Sequence, residues 1–358
     1  MEASVNKEST KKFPFYSKYT LKENDEGNHF NSYFPLQEWW YYNVLFNDKN
    51  SDLKDWSLTI SIGTFPHTDS LKLVLHDDKE KSYGNIYLKP IGTFKSEGKA
   101  VNIKLDSTYA KGQYPNWHVH SDNLKLDDHE IIVDLKFKAN SLPMWIIKNT
   151  GFNNSSSPLG YYVVMNCDVS GEVFFDGKKH KVKGIGYHDH TWMPMSKNTS
   201  SKPKKKLIDF NIWDWICIHF DNGWDAFIGK IHSHQRFDLS NLIPGSICIS
   251  PGGRKLVECK YFPLEYVEFK DSIIPHLKIP TKIHMKAVKI NYSRKSPLTR
   301  PFNLDLIYEV ENIKECIPRD PPTWIQWETT GKVYGEINES GKKTKLKGWG
   351  IMETTSNV

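Results

Sequence analysis

The chain has 358 residues, of which 38% are hydrophobic and 13% aromatic, including 12 Trp and 17 Tyr, and its net charge is +6. That length exceeds one ordinary core and fits two domains of roughly 150 to 180 residues each. No run of about 18 apolar residues occurs, which excludes a membrane-spanning helix, and the dispersed basic residues exclude a nucleic-acid-binding stripe.

Residues 1–33 are polar, rich in Lys, Asn and Glu, and read as a flexible or loosely docked arm. No apolar leader is present near Met1. Short β-branched and aromatic runs follow, separated by turn signals: Glu38-Trp39-Trp40-Tyr41-Tyr42, Trp56 to Ile62, Ile131 to Phe137 and Tyr161 to Met165. Asp176-Gly177, between Val173-Phe174-Phe175 and His180-Lys181-Val182, is a two-residue hairpin signature. Residues 34–198 therefore form a first β domain. The stretch 199–206 has linker chemistry, and Lys202-Pro203-Lys204-Lys205-Lys206 within it reads as a solvated basic run. A second β domain, 207–358, opens with Phe210 to Phe220, turns at Asp221-Asn222-Gly223 and ends with Leu346 to Glu353. No segment of 12 or more residues has a 3.6-residue period, so the expected class is all-β, with antiparallel barrels or sandwiches.

The richest chemistry lies in Gly186-Tyr187-His188-Asp189-His190-Thr191-Trp192. On a strand, Tyr187, Asp189 and Thr191 share one face while His188, His190 and Trp192 share the other, and one of these faces is expected to be buried. A carboxyl group among Trp and Tyr rings is desolvated, so its pKa rises and it becomes a proton donor. Asp189 is accordingly read as a general acid, the alternative being a buried carboxylate that hydrogen-bonds neighbouring groups at a domain seam. Glu38 either orients groups in a cavity or caps the start of its strand.

His118-Val119-His120 and His188-Asp189-His190 each place two imidazoles on one strand face, a spacing that metal sites use, but no converging third ligand is identifiable, so no metal and no cofactor are expected. His188 and His190 read instead as partners of buried carboxylates or of phenols such as Tyr187. Five cysteines without a CxxC pair suggest free thiols and a cytoplasmic setting. Cys217, on a strand without a basic neighbour, reads as core, and Ser155-Ser156-Ser157 lacks a nucleophile elbow. Both halves open on a Trp-rich strand and close on a Gly-x-Gly strand carrying an acid, Gly184 to Asp189 and Gly348 to Glu353, which hints at two related barrels.

Four ordered blocks, Glu38-Trp39-Trp40-Tyr41, Gly186 to Trp192, Trp213-Asp214-Trp215 followed by Asp221-Asn222-Gly223, and Gly348-Trp349-Gly350-Ile351-Met352-Glu353, resemble the signature of the hydroxyneurosporene synthase (CrtC) and AttH-like family. The resemblance implies two lipocalin-like β domains packed together. The family includes carotenoid hydratases, cyclases and Diels–Alderases, and secreted proteins described as hydrolases. In the hydratase branch the acid of a Tyr-x-Asp motif donates a proton to an alkene, and the matching residues here are Tyr187 and Asp189. Met193 follows Trp192 where the family pattern leads one to expect glycine, and the export signal of the secreted members is missing.

The expected activity is a cofactor-independent enzyme acting on a polyene, terpenoid or polyketide-like substrate, by hydration, cyclisation or pericyclic ring closure. Asp189, Tyr187, His190 and Glu38 would be catalytic, and Trp39, Trp40, Tyr41, Trp192, His188 and Trp213 would line the cavity. The rival is a non-enzymatic lipocalin-like carrier. The expected partner is a hydrophobic small molecule, with neither nucleic acid nor stable membrane insertion, and the oligomeric state stays open.

Overall fold

A computed structural model of the chain describes residues 20–22, 24–29, 36–65, 67–147, 160–194, 213–231, 245–251, 257–259, 262–289, 302–318 and 324–358. The strands β1 (Leu36–Leu45), β2 (Ser57–Phe65), β3 (Thr68–His76), β4 (Ser82–Lys89), β5 (Phe94–Ser96), β6 (Val101–Leu105), β7 (Thr108–Gln113), β8 (Asn116–Leu126), β9 (His129–Ala139), β10 (Met144–Ile147), β11 (Gly160–Phe175) and β12 (Lys178–Pro194) form one sheet. A second sheet contains β13 (Trp213–Phe220), β14 (Trp224–Ile231), β15 (Gly245–Pro251), β16 (Val257–Cys259), β17 (Leu264–Asp271), β18 (Lys278–Lys289), β19 (Phe302–Cys316), β20 (Trp324–Glu339) and β21 (Lys342–Asn357). All pairings are antiparallel, and the described residues include no helix. The all-β class and the curled half-barrel form expected of lipocalin-like domains are both present. The proposed linker, 199–206, lies outside the described residues.

The two sheets share one plan. In each, the opening strand is inserted between the second strand and the last one, so β1 lies between β2 and β12, and β13 between β14 and β21. Close backbone approach at this seam accounts for the Gly-x-Gly pattern of both closing strands. A Cβ on Gly184 would stand 2.0 Å from the Leu45 carbonyl oxygen, and one on Gly348 would stand 2.2 Å from that of His219. The Asp176-Gly177 hairpin turn also forms: both residues adopt left-handed φ, 49° and 74°, between β11 and β12, the geometry of a two-residue turn with positive φ at both positions.

Strand alternation sorts most of the apolar residues into three large cores. Trp40, Tyr42, Val44, Tyr162, Val164 and Trp192 belong to the interior of the first sheet, and Ile216, Ile218, Tyr308 and Met352 to that of the second. Between them, Tyr41, Val163, Met165, Tyr187, Trp215, Cys217, Phe227 and Ile351 form a separate cluster drawn from both sheets. Fully burying a side chain of this size contributes about 2 to 3 kcal/mol, so the cluster holds the two halves face to face. Both faces of β12 are thus buried, where the sequence led us to expect one: its second face is covered by the other half of the molecule.

Part of the polar N-terminal stretch is docked onto the first sheet. Asp25 and Glu26 are buried. The Glu26 carbonyl accepts the Trp40 indole N–H at 3.0 Å, and its carboxylate accepts the Trp117 indole N–H and the Tyr114 backbone N–H, each at 3.0 Å. Burial raises the Glu26 pKa against those two donors.

Candidate active site

The residues singled out in the sequence divide between the two faces of β1 and β12. On β1, Tyr41 faces the interdomain cluster with the half-buried Trp39 packed against it, while Glu38, Trp40 and Tyr42 point the other way. On β12, Tyr187, Asp189 and Thr191 face the other half of the molecule; His188, His190 and Trp192 turn into the first sheet. The structure therefore brings Tyr41 and Tyr187 to Asp189 and keeps Glu38, His190, His188, Trp40 and Trp192 on the opposite face. A period of two residues, combined with antiparallel register Tyr41↔Asp189 and Trp40↔His190, enforces the separation.

Asp189 is 3% exposed. Its Oδ2 accepts the Tyr187 hydroxyl at 2.8 Å and the Tyr161 hydroxyl at 3.2 Å. The Trp215 indole N–H, from the second sheet, donates to both phenol oxygens, at 3.0 Å to Tyr161 and 3.3 Å to Tyr187. Asp189 Oδ1 has no hydrogen-bond partner among the described residues, and neither has Oγ1 of Thr191, two residues along the same face. Burial dominates the titration of Asp189: it pushes the carboxyl to about 8, Glu353 adds to the rise, and the two phenols and Lys72 oppose it. With Oδ2 already accepting two donors, the acidic proton belongs on Oδ1. Aromatic rings surround the group, Trp215 lying 4.9 Å from Tyr187 and 4.8 Å from Tyr41, centroid to centroid.

A charged cluster adjoins this acid. Lys72 of β3 binds Glu328 at 2.9 Å and also Glu353, on β20 and β21 respectively. Glu328 accepts the Tyr41 and Thr59 hydroxyls, both at 2.9 Å, and the Trp213 indole N–H donates to Glu353 Oε1 at 2.6 Å. Lys72 remains a cation: burial works against its charge, but the two carboxylates outweigh burial and raise its pKa. Burial raises the pKa of Glu328, opposed by Lys72 and assisted by Glu353. Sequence reasoning missed Lys72, Glu328, Tyr161 and Trp215 as site residues. Trp215 had a signal, since it shares a strand face with Trp213; Lys72 had none, because its partners lie more than 250 positions away.

On the far face of β12, Glu38 accepts the His190 Nε2 and His29 Nδ1 contacts, both at 2.9 Å, and the His29 backbone N–H. Burial pushes the His190 ring toward neutrality, yet both nitrogens face oxygen acceptors, the Asp25 carbonyl at 3.1 Å and Glu38. A proton on each nitrogen satisfies both contacts. We assign an imidazolium–carboxylate pair, with Glu38 held below the usual range because the His190 and His29 donors outweigh its burial. The donor atoms of His29, Glu38 and His190 all lie within 4.8 Å of one another, but the 2.9 Å contacts are hydrogen-bond lengths, shorter than the roughly 3.3 Å between tetrahedral zinc ligands at about 2.0 Å from the metal.

His188 is neutral. Burial lowers its pKa to about 3, its Nδ1–H donates to the Tyr41 carbonyl at 3.0 Å, and its Nε2 accepts the Tyr162 hydroxyl at 3.2 Å. The phenol it engages is Tyr162, not Tyr187, which is on the other face. His118 and His120 both contact the partly exposed Asp134. Cys217 does have a basic neighbour: His219 Nε2 stands 3.7 Å from its Sγ, with Nδ1 2.8 Å from Asp225. The two side chains share a strand face because they are two residues apart. Burial pushes the Cys217 thiol well up, the opposite of an activated nucleophile. Asn166 of the first sheet donates to Asp225 at 3.0 Å, so this array fastens the two halves together.

Three solved structures share the architecture over nearly the whole chain. A putative AttH from Nitrosomonas europaea superposes with a TM-score of 0.64 at 15% identity, covering 95% of this chain and 98% of its own. Kievitone hydratase from Nectria haematococca gives 0.58 at 12%, with 93% and 91% covered. CghA gives 0.61 at 10%, with 95% and 96% covered. The fold is therefore the one the four sequence blocks resemble. No protein-family model matches the sequence, and no curated protein does.

Proposed function

We propose that this chain, built on the fold of kievitone hydratase and CghA, is an enzyme that protonates an alkene of a hydrophobic polyene or terpenoid between its two halves, leading to hydration or cyclisation. The observation that carries the reading is Asp189: a buried carboxyl whose Oδ2 takes two phenol donors and whose Oδ1 has no partner among the described residues. Its pKa of about 8 keeps the proton in place at neutral pH, the condition for a general acid. Transfer from Oδ1 to an alkene carbon leaves a carboxylate that the Tyr187 and Tyr161 hydroxyls already stabilise. The tertiary cation formed is then flanked by the faces of Tyr41, Tyr187 and Trp215, each contributing about 0.5 to 2 kcal/mol.

A carrier of the same ligand needs the apolar walls but not the acid. The test is incubation with farnesol, geranylgeraniol and squalene in D2O, with deuterium uptake at alkene carbons read by mass spectrometry. Wild-type protein is expected to introduce deuterium, and Asp189→Asn to bind the same compounds by Trp fluorescence without exchange. Equal exchange by the two proteins would remove Asp189 as the acid, and binding without exchange by both would favour the carrier.

A further inference from the structure

Superimposing the registers of the two halves pairs their acids. Asp189 lies opposite Tyr41 of the opening strand β1, and Glu353 opposite Trp215 of the opening strand β13. Each stands five residues after the first glycine of its Gly-x-Gly. The opening-strand aromatics cross between halves in the same way: Tyr41 donates to Glu328, the β20 neighbour of Glu353, and Trp215 donates to the two phenols that hold Asp189.

Equivalent positions have acquired opposite surroundings. Asp189 is enclosed by aromatic rings, and this exclusion of water favours its protonated form against the two phenol donors. Glu353 has the Lys72 ammonium on Oε2 and the Trp213 indole N–H on Oε1, and its side chain is 12% exposed. One carboxyl enclosed by rings and a second that meets a cation and solvent can divide the roles of acid and base. Trp213 and Trp215, which reach the two centres, are two residues apart on one face of β13, so their anchor points are about 7 Å apart.

We propose that Glu353 is the general base of the reaction: it takes the proton from the water that captures the cation generated by Asp189. The inference rests on the reading of Asp189 as the acid. In the step, the Asp189 O–H bond breaks and the alkene π pair forms a C–H bond, leaving a cation at the more substituted carbon. A water lone pair forms the C–O bond, and the oxonium O–H bond breaks as its proton passes to the Glu353 carboxylate. Proton return from Glu353 to Asp189 through solvent restores both groups. The sum is alkene plus water giving a tertiary alcohol. Lys72 and Trp213 act as positioning residues, each fixing one carboxylate oxygen.

The test uses the full chain and the same isoprenoid panel in D2O, reading deuterium in recovered alkene and alcohol formation separately. Glu353→Gln keeps the shape and an acceptor for Trp213. It is expected to retain deuterium exchange while alcohol formation falls about 100-fold, with isomerised alkene appearing instead. Glu353→Asp is expected to recover part of the alcohol. Unchanged alcohol formation in Glu353→Gln overturns the inference and leaves Asp189 standing. Parallel loss of exchange and alcohol overturns it as well, because Glu353 is then structural. Absence of both products from wild-type protein across the panel counts against the Asp189 reading and removes this one with it.

Discussion

Replacing Asp189 with Asn changes how stability depends on pH. The ordinary value for this carboxyl is 3.8 and its folded value is about 8. Below the lower value both states hold the proton. Between the two, the unfolded chain has lost a proton that the folded chain keeps, so stability falls as pH rises and levels off above 8. At about 1.4 kcal/mol per pH unit, with the slope halved by pH 8 as the folded group begins to lose its proton, the stretch from pH 6 to 8 removes about 2 kcal/mol from the wild type and nothing from Asp189→Asn. Urea unfolding of both proteins at pH 6, 7, 8 and 9 measures this as a double difference, in which Glu26, Glu328 and other titrating groups common to both cancel. The carboxamide leaves N–H donors where Oδ1 stood, costing about 1 to 3 kcal/mol, but that cost does not vary with pH. Profiles parallel to within about 1 kcal/mol would refute a buried, protonated Asp189.

With Asp189 as the proposed acid, kcat should be level below pH 7 and decline as pH passes about 8, a limb read from pH–rate profiles. Lys72→Met leaves Glu328 and Glu353 together without their cation and should destabilise the protein by about 3 to 5 kcal/mol; adding Glu328→Gln should restore part of this in thermal melts. Glu38→Gln breaks the buried pair with His190 and should cost a similar amount, yet leave the Asp189-dependent pH slope in place, because the two acids lie on opposite faces of the first sheet. Gly160→Ala should destabilise by about 1 to 3 kcal/mol in the same melts, since a Cβ there would stand 2.2 Å from the Trp192 ring.

What the sequence determined by itself was whatever depends on neighbours along the chain. Two-residue alternation, turn residues such as Asp176-Gly177 and the lack of helical periodicity specify antiparallel sheets, because strand geometry and turn conformation are local. The same alternation put Tyr187 and Asp189 on one face and His188 and His190 on the other. Chain order alone could not say that both faces would be covered, since the cover for the Asp189 face is β13 of the other half. Tertiary structure alone decided the chemistry of the acids. Asp189 is closed off from solvent because the Trp215 strand comes from the other sheet, and Glu353 meets a cation because Lys72 crosses from β3. The pKa of a group is set by solvent exclusion and by charges within a few ångströms, and at this seam those neighbours come from segments far apart in sequence.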